Sequence, residues 1–339
     1  MTITEQSFGW WEGQPVSMHV LANANGLSAR LCNFGARLTG MMVPGRNGAI
    51  ADVVLGFDTL EQYASSRGYF GATCGRFGNR IKDGRFRLGG RSVEVSRNDG
   101  RNHLHGGSKG FDKRVWHAER DEAGDAVVFS LVSEDGEEGY PGRLDVRSRY
   151  SLTDDDRLII TMSASTDKET VVNLVHHSYW NLAGHHSGDV LQQVLTVHGD
   201  FYTPVDEQLI PTGEILKVAH SPFDFRNGAA IGRQGGRYDH NWIVREAGAG
   251  LKPVAMLHDP DSGRAMEVQS SEPGVQIYTA GHLDPPIVGK GGHRYGRYSG
   301  VTFETQKFPN SPNFAHFPDA RLEPGEVYEH RMEIKFSLR

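Results

Sequence analysis

Apolar and polar residues alternate with a period of two in several short runs of the chain. This spacing is typical of β-strands, in which successive side chains point to opposite faces of a sheet. Gly or Pro residues separate the runs, as in RFRLGGRSVEV, where Gly89 and Gly90 predict a two-residue hairpin turn. Neighbouring strands are therefore expected to be mostly antiparallel. The alternating runs are 127–132, 144–152, 158–163, 171–182, 265–270 and 275–279.

One segment, FDTLEQYASS, has the pattern of a helix. Asp58 or Thr59 can cap its first turn, and the acidic Glu61 lies near its positive end, so we expect a short helix there. The chain shows no βαβ alternation, no fixed-period repeat and no linker rich in Pro, Gly or Ser. The pattern therefore predicts one all-β domain over residues 1–339, a large antiparallel β-sandwich with few short helices.

Composition narrows the partners that this domain can have. The 339 residues carry a formal charge of −6 with the charges interspersed, which favours neither nucleic acid nor an anionic membrane and fits a small neutral partner. The sequence has neither a signal peptide nor the ~18 consecutive apolar residues of a spanning helix. Cys32 and Cys74 are too few for a disulfide framework, and we expect them to be reduced in a cytoplasmic protein.

The stretch NLVHHSYWNLAGHHSGD holds four of the 16 histidines. In an extended segment His176 and His177 point to opposite faces, so they cannot chelate one ion. His177 shares its face with polar tips and is the functional candidate, whereas His176 is expected to pack behind it. His185 and His186 follow in a loop, where we expect them to be solvated. One face would hold Asn173, Val175, His177, Tyr179 and Asn181, and the other Leu174, His176, Ser178, Trp180 and Leu182.

Three further motifs resemble chemical sites but lack the required context. His103 and His105 have a spacing that metal sites use, yet no carboxylate or CxxC accompanies them, so we favour a hydrogen-bonding role and expect no metal. GGSKG matches the nucleophile elbow around Ser108, but no helix pattern follows it. The Gly-rich stretch near Lys290 matches no phosphate loop and is expected to be a mobile surface loop.

Two carboxylates stand beside strand-forming residues. Glu304 lies in VTFETQ and Asp239 in RYDHNWIV, and each is either an edge residue that faces water or a charge buried for a purpose. Arg76 and Arg80 alternate with apolar neighbours in CGRFGNRI. Arg80 can hold sugar hydroxyls or pair with a carboxylate.

Several motifs in order along the chain resemble the aldose 1-epimerase (galactose mutarotase) family. The resemblance implies a galactose mutarotase-like β-sandwich and an interconversion of monosaccharide anomers that uses no cofactor. The matching stretches are GRFGNRI, NHLHGGSKGFDKRVW, EEGYPG, HHSYWNL, YDHNW, VQIYT, ETQKFPNSPN and LEPGEVYEH.

The same resemblance implies roles for individual residues. Glu304 would be the general base and His177 the general acid. His176 and Trp180 depart from the family, many members of which have Asn and Phe there, and we expect these changes to affect packing alone. The residues that would hold the sugar are Asn79, Arg80, His105, Tyr179, Asp239 and Gln276.

The reaction explains why these residue types suit it. Opening the ring needs a base at the C1 hydroxyl and an acid at the ring oxygen, which a carboxylate and a protonated imidazole supply near neutral pH. We hypothesise that Asp239 favours the charged form of a nearby histidine. Neither a nucleophile nor a metal is required.

Three alternatives remain at the level of sequence. A hexose 6-phosphate epimerase would need extra cations at the rim of the cleft, which Lys290, Arg294 and Arg297 can supply. A non-catalytic sugar-binding module would not need both Glu304 and His177. A glycosidase would need two carboxylates that flank the scissile bond.

Overall fold

The computed structural model describes residues 2–245 and 250–339. Within these two ranges the chain forms short strands, one α-helix, α1 (Leu60–Ser65), and isolated 3-10 turns. None of the helices in these ranges has both the length and the apolarity that crossing a bilayer requires. The 3-10 helices are Lys82–Gly84, Phe111–Lys113, Glu137–Gly139, Ile231–Gln234, Lys290–Gly292 and Ser311–Asn313.

The strands are numbered in chain order. The first fifteen are β1 (Thr2–Trp11), β2 (Gln14–Ala22), β3 (Ser28–Cys32), β4 (Arg37–Pro44), β5 (Ile50–Asp52), β6 (Ala72–Cys74), β7 (Arg80–Ile81), β8 (Arg85–Leu88), β9 (Arg91–Glu94), β10 (His103–Leu104), β11 (His117–Arg120), β12 (Val127–Ser133), β13 (Leu144–Leu152), β14 (Arg157–Thr166) and β15 (Thr170–Val171). The others are β16 (Val175–His177), β17 (Tyr179–Trp180), β18 (Val194–Val197), β19 (Phe201–Thr203), β20 (Leu216–Lys217), β21 (Ala229–Ala230), β22 (Asp239–Ile243), β23 (Lys252–His258), β24 (Arg264–Ser270), β25 (Gly274–Tyr278), β26 (Ile287–Val288), β27 (Arg294–Tyr295), β28 (Val301–Gln306), β29 (Arg321–Leu322) and β30 (Tyr328–Leu338).

Three sheets contain most of these strands. A nine-stranded sheet has the order β11-β12-β13-β14-β30-β24-β23-β18-β21, and a six-stranded sheet has the order β17-β28-β25-β22-β19-β20. β1 to β5 form a third sheet in chain order, and the remaining strands form two-stranded pairs. The long neighbours pair antiparallel, as β13 does with β14 and β25 with β28.

The nine-stranded and six-stranded sheets pack face to face. Along β14, residues alternate between buried and half-buried, so Ile160 and Met162 enter the core, and Phe303 enters it from the other sheet. The ring of Trp180 on β17 lies 5.9 Å from that of Phe336 on β30, which joins the two layers directly. This packing confirms the predicted antiparallel β-sandwich.

Most predicted strands occur where the alternation placed them, as β12, β13, β14, β24 and β25. The run 171–182 is different, because it is divided into β15, β16 and β17, which pair with β29, β6 and β28 respectively. The side chains keep the predicted alternation even so, because Trp180 is in the core while His177 and Tyr179 line a pocket. The alternation predicted the faces but not the change of partner strand.

The predicted helix and hairpin are confirmed. Thr59 caps α1, and its hydroxyl accepts the N–H of Gln62, whose side chain accepts the N–H of Thr59 in return. β8 and β9 pair from Leu88 to Arg91 across Gly89 and Gly90, which have φ values of 51° and 78°. Two successive positive φ angles are what a tight turn of this hand requires, and glycine adopts them without strain.

Gly106 allows two loops to cross at van der Waals distance. A Cβ atom at this position would lie 1.7 Å from the carbonyl oxygen of Gly75, and the φ of Gly106 is 89°. The close approach that this glycine permits is therefore to the neighbouring backbone. Gly106 directly follows His105, so the crossing fixes the position of that histidine.

We expect Gly106→Ala to lower the free energy of unfolding by ~3 kcal/mol or more, because the new methyl group has no room. Gly124→Ala is the matched control, since Gly124 also has a positive φ, of 70°, but a Cβ atom added there would meet no other atom within 4 Å. The control should lose only ~1 kcal/mol from backbone strain. Urea unfolding followed by circular dichroism measures both, and equal losses in the two variants would contradict the crowding argument.

Candidate active site

Glu304 lies in the middle of β28 and is the centre of the candidate site. Val301 and Phe303 on the same strand point into the hydrophobic core, which leaves Glu304 on the opposite face. A slip by one residue would expose Phe303, whose burial contributes roughly 2 kcal/mol, so the core fixes this register. The Glu304 side chain is only 2% exposed. Of the two alternatives that the sequence left open for Glu304, the structure has the buried carboxyl and not an edge residue that faces water.

Polar side chains extend across the same face of the six-stranded sheet. Cross-strand pairing aligns them in two adjacent rows, because directly paired residues point to the same side. Gln276 donates from Nε2 to Asp239 Oδ1 at 2.7 Å, which links the rows and orients the carboxylate. One row contains Glu304, Gln276 and Asn241, and the other contains Tyr179, Thr302, Tyr278 and Asp239.

Two short strands outside this sheet, β7 and β10, bring Asn79, Arg80 and His105 to the same place. The strands pair with each other, and the backbone N–H of Asn79 donates to Nδ1 of His105 at 3.1 Å. An amide N–H cannot accept a hydrogen bond, so a neutral His105 ring carries its hydrogen on Nε2. That atom is the one that lies toward Glu304, 4.0 Å from Oε2.

Arg80 forms an ion pair with Asp99. Its Nε lies 2.8 Å from Asp99 Oδ2, and the Arg80 side chain is 12% exposed. The sequence left a choice for Arg80 between holding hydroxyls and pairing with a carboxylate, and the structure has the pair. Both residues line the pocket, so the guanidinium N–H groups that are not bonded to Asp99 remain available as donors beside the pocket.

His177 is the second ionisable side chain at the centre of the site. Its Nε2 lies 3.4 Å from Glu304 Oε1, and both side chains are almost fully buried. Thr302 donates its hydroxyl to the same oxygen, Oε1, at 2.9 Å. Oε2 of Glu304 and Nδ1 of His177 have no hydrogen-bond partner among the described residues. An acid–base pair with free acceptor capacity therefore faces the pocket.

Burial sets the protonation of this pair. Desolvation, with a smaller contribution from the charge of Asp239, raises the pKa of Glu304 to about 8 against the opposing effects of the Thr302 hydrogen bond and of Arg80. Desolvation lowers the pKa of His177 to about 4. Without ligand, the pair near neutral pH thus has its single proton on Glu304. This differs from the predicted protonated imidazole, because both side chains are almost fully buried, which the sequence alone did not indicate.

The charge of Asp239 acts on a nearby histidine, as we hypothesised, and also on two other groups. It raises the pKa of Glu304 and also that of Tyr278. The imidazole whose charged form it favours is that of its sequence neighbour, His240, and burial outweighs this effect so that the pKa of His240 is lowered.

His105, His177 and Glu304 each offer one potential metal ligand, and these three atoms lie within 4.8 Å of one another. A metal on His105 Nε2 would need the hydrogen on Nδ1, where it would meet the N–H of Asn79. The second nitrogen of His177 has no acceptor among the described residues to orient it as a ligand. The donor set therefore suits proton transfer better than metal binding.

These groups line a cavity of about 1000 Å³. Seven of the eight predicted site residues border it. Gln276 does not, and it lies behind Asp239, to which it donates. The seven are Glu304, His177, Asn79, Arg80, His105, Tyr179 and Asp239.

The sequence analysis missed four aromatic residues of the pocket, Phe57, Tyr69, Phe70 and Tyr278, of which the two tyrosines lie near the central groups. The ring of Tyr69 lies 4.5 Å from that of His105 and 5.6 Å from that of His177, so it packs against both imidazoles. Tyr69 is in a loop with a positive φ of 54°, where no periodicity marks it. Tyr278 is two residues from Gln276 on β25, and the period-two alternation could have found it.

The other histidines of the sequence analysis lie outside the pocket. His103 bonds the carbonyl of Ser96 and the hydroxyl of Tyr140, so it is not a ligand beside His105. His176 is buried behind His177, as predicted, and contacts Ser178 at 2.8 Å.

The remaining candidate motifs are also separate from the site. Ser108 is exposed, and its backbone N–H donates to Glu138. Lys290, Arg294 and Arg297 are not among the described residues that line the pocket. The Lys290 side chain is only 12% exposed and forms an ion pair with Asp52. The Gly-rich stretch is therefore anchored at Lys290, which differs from the mobile surface loop that we predicted.

The sequence matches known proteins over most of its length. A family model described as "Aldose 1-epimerase" matches residues 17–335. A galactose mutarotase from Bos taurus is 42% identical over 317 residues, which cover 92% of each chain. An aldose 1-epimerase from Escherichia coli K12 is 35% identical over 336 residues and 96% of each chain.

Solved structures match the fold equally widely. A structure of an aldose epimerase homologue from C. elegans has a TM-score of 0.88 and 31% identity, covering 94% of this chain and 98% of that one. A structure of a galactose 1-epimerase from Lactobacillus acidophilus has a TM-score of 0.86 and 27% identity, with 99% of each chain covered.

We expect Glu304→Gln to stabilise the fold at pH 7 by ~3 kcal/mol. A carboxyl whose pKa is about 8 when folded and near 4.5 when unfolded binds protons more tightly in the folded state. Its contribution to stability is thus largest at low pH and declines as pH rises from about 4.5 to 8. Glutamine does not ionise, so the gain should vanish near pH 4.5.

Denaturant unfolding at pH 4.5 and pH 7 measures this difference. Glu329→Gln is the matched control, because Glu329 is an exposed glutamate on β30. It should change stability by less than ~0.5 kcal/mol at either pH. A Glu304→Gln variant that is equally stable to the parent at both pH values would contradict a raised pKa.

Proposed function

Because the chain belongs to the aldose 1-epimerase family, we propose that Glu304 and His177 are the acid–base pair that opens and recloses a sugar ring. The protein is an isomerase, a mutarotase that interconverts the anomers of an aldose. The observation that carries the proposal for the pair is the 3.4 Å separation between His177 Nε2 and Glu304 Oε1. Groups this close can reach the two oxygens that are bonded to one anomeric carbon.

Ring opening moves two protons and no external reagent. Glu304 takes the proton of the C1 hydroxyl, and the electrons of that O–H bond form the aldehyde C=O. The C1–O5 bond breaks, its electron pair stays on O5, and His177 donates a proton there. After rotation about C1–C2, attack by O5 on the other face reverses both transfers and gives the second anomer.

This direction requires the single proton of the pair to be on His177, whereas the free pocket keeps it on Glu304. A sugar hydroxyl that donates to the unpaired Oε2 would lower the pKa of Glu304, as the Thr302 hydroxyl already does. Binding of substrate then shifts the proton to the imidazole. The reverse assignment, with Glu304 as the acid and His177 as the base, also needs one proton on the pair. Both directions of the reaction therefore use the same number of protons on the pair.

We assign substrate binding to the polar residues around the pair. Asp239 accepts hydroxyls, and Gln276 positions it through the 2.7 Å hydrogen bond. His105 is fixed as a donor at Nε2 and can stabilise charge that develops at a ring oxygen. The proposed substrate-binding residues are Asn79, Arg80, His105, Tyr179, Asp239 and Gln276.

We propose free aldohexoses, such as glucose and galactose, as substrates. The Bos taurus relative is a galactose mutarotase by name. Opposite charges balance at the pocket, and the cations that a phosphorylated sugar was expected to need, such as Lys290, lie elsewhere. The pocket contains Arg67, Arg80 and Arg101 as cations, and Asp99, Glu207 and Asp239 as anions around Glu304.

We further propose that residues 1–339 act as one domain. A single hydrophobic cluster includes residues from Leu21 to Phe336, which supports one common core. Cys32 and Cys74 are unpaired and buried, which fits the cytoplasm, where thiols stay reduced.

We expect Glu304→Gln and His177→Asn each to lower kcat for α-D-galactose at least ~100-fold, because each removes one proton-transfer group. Polarimetry of freshly dissolved α-D-galactose and α-D-glucose, corrected for the spontaneous reaction, measures the rate. Glu329→Gln should retain full activity. Near-parental turnover in either active-site variant would refute the role assigned to that residue.

The same assay separates the alternatives. Glucose 6-phosphate should react much more slowly than glucose, and a preference for the phosphate would refute the free-sugar assignment. Sugar binding without faster equilibration would identify a binding module, and release of sugar from a glycoside would identify a glycosidase.

We expect kcat/KM to be highest between about pH 4 and pH 8 and to fall on both sides. Above about 8 the pair loses its one proton and has no acid. Below about 4 His177 is protonated as well as Glu304, so the pair has no base. Initial rates across pH 3.5–9.5, with circular dichroism to confirm folding, test this. An acidic limb near 6.5 would show that the imidazole is solvated.

A further inference from the structure

A second histidine cluster lies on the surface, outside the pocket. His185, His186 and His293 come from two loops that are far apart in sequence. Their ring centres are 5.0 Å apart for His185 and His186, 5.6 Å for His185 and His293, and 5.1 Å for His186 and His293. We call these three residues the surface histidine cluster. The mechanism uses none of them.

We propose that the surface histidine cluster is a binding site for a divalent transition-metal ion such as Zn²⁺ or Ni²⁺. When imidazoles bind one tetrahedral ion with metal–nitrogen bonds of about 2 Å, neighbouring ring centres lie about 5 Å apart. All three separations in the cluster are close to this value. The exposed His186 and His293 rings have only to rotate about their side-chain torsions to aim a nitrogen at the common centre.

The backbone holds the three residues in place without a metal. The N–H of His185 donates to the carbonyl of Asp52 at 2.8 Å, and His293 exchanges backbone hydrogen bonds with Gly289 and Lys290. The backbone positions are thus fixed before a metal binds, and binding requires side-chain rotation but no ordering of a flexible loop. This preorganisation lowers the entropic cost of binding.

His185 has the surroundings of a metal ligand. Its Nδ1 lies 2.9 Å from the hydroxyl of Tyr295, and a hydroxyl, unlike an amide N–H, can accept. Nδ1 can thus carry the hydrogen while Nε2 offers its lone pair outward.

The positive charge of Lys290 does not prevent binding, because it is already compensated. Its Nζ lies 2.7 Å from Asp52 Oδ2 and also donates to the carbonyl of Val54. With three imidazoles and no protein carboxylate supplied, water would complete the coordination. Such a set favours Ni²⁺, Cu²⁺ and Zn²⁺ over Mg²⁺ and Ca²⁺, which prefer oxygen ligands.

A bound ion would connect two parts of the pocket wall. His293 lies between β26 and β27, and the β26 residues Ile287 and Val288 line the pocket. His185 and His186 follow β17, which carries Tyr179. The metal would therefore restrain the β26–β27 hairpin against the loop after β17.

Isothermal titration of the intact protein with ZnCl₂ and NiCl₂ at pH 7.5 tests the site. We expect one equivalent to bind the parent protein, and His186→Gln and His293→Gln each to weaken binding at least ~10-fold. Tyr295→Phe keeps the ring but removes the acceptor for Nδ1, and it should also weaken binding about 10-fold. MgCl₂ should give no binding heat.

Two control variants locate the metal. His117→Gln removes an exposed histidine elsewhere and should bind like the parent. His177→Asn removes one of the three potential metal ligands in the pocket, and this variant should still bind one equivalent of metal at the surface histidine cluster. Unchanged affinity in both His186→Gln and His293→Gln, or loss of binding in His177→Asn instead, would overturn the proposal.

Hydrogen exchange provides a readout that does not depend on affinity alone. Saturating Zn²⁺ should slow amide exchange in residues 287–295 of the parent protein and leave it unchanged in His293→Gln. Equal slowing in the two proteins would place the ion at another site and would also contradict the proposal.

Discussion

The candidate site depends on one constraint, the burial of an ionisable carboxyl on the polar face of a strand whose other face is in the core. Phe303 and Val301 hold β28 in register, and this register places Glu304 beside His177. Desolvation then moves the pKa values of the two groups in opposite directions. The stability of the sandwich and the chemistry of the pair therefore have the same structural origin.

The covering loops add what the sheet alone cannot provide. A flat sheet face would leave Glu304 in water, where its pKa would be ordinary and a proton transfer to sugar would compete with solvent. Tyr69, His105 and the crossing at Gly106 close this face. The fixed hydrogen of His105 also makes it a donor, so three different local environments set the protonation of Glu304, His177 and His105.

Alternation in the sequence was enough to predict the strands, the sandwich and the separation of His176 from His177. Family motifs predicted roles for Glu304 and Asp239 and for the other residues that we propose bind the sugar. Two features could not be predicted from the sequence. The partner strands of 171–182 depend on contacts with β6, β28 and β29, which no local pattern encodes. The protonation of Glu304 and His177 depends on how much water the folded loops exclude, and Tyr69 contributes from a loop without periodicity.

The two groups of histidines show how environment decides the use of one side chain. In the pocket, the Asn79 amide can only donate, so the His105 lone pair at Nε2 is lost to metals and a donor remains. In the surface histidine cluster, the Tyr295 hydroxyl can accept, so His185 can present a lone pair to solvent. If the surface histidine cluster binds metal as proposed, the difference between an amide and a hydroxyl as hydrogen-bonding partner decides whether His105 or His185 offers a lone pair to the ion.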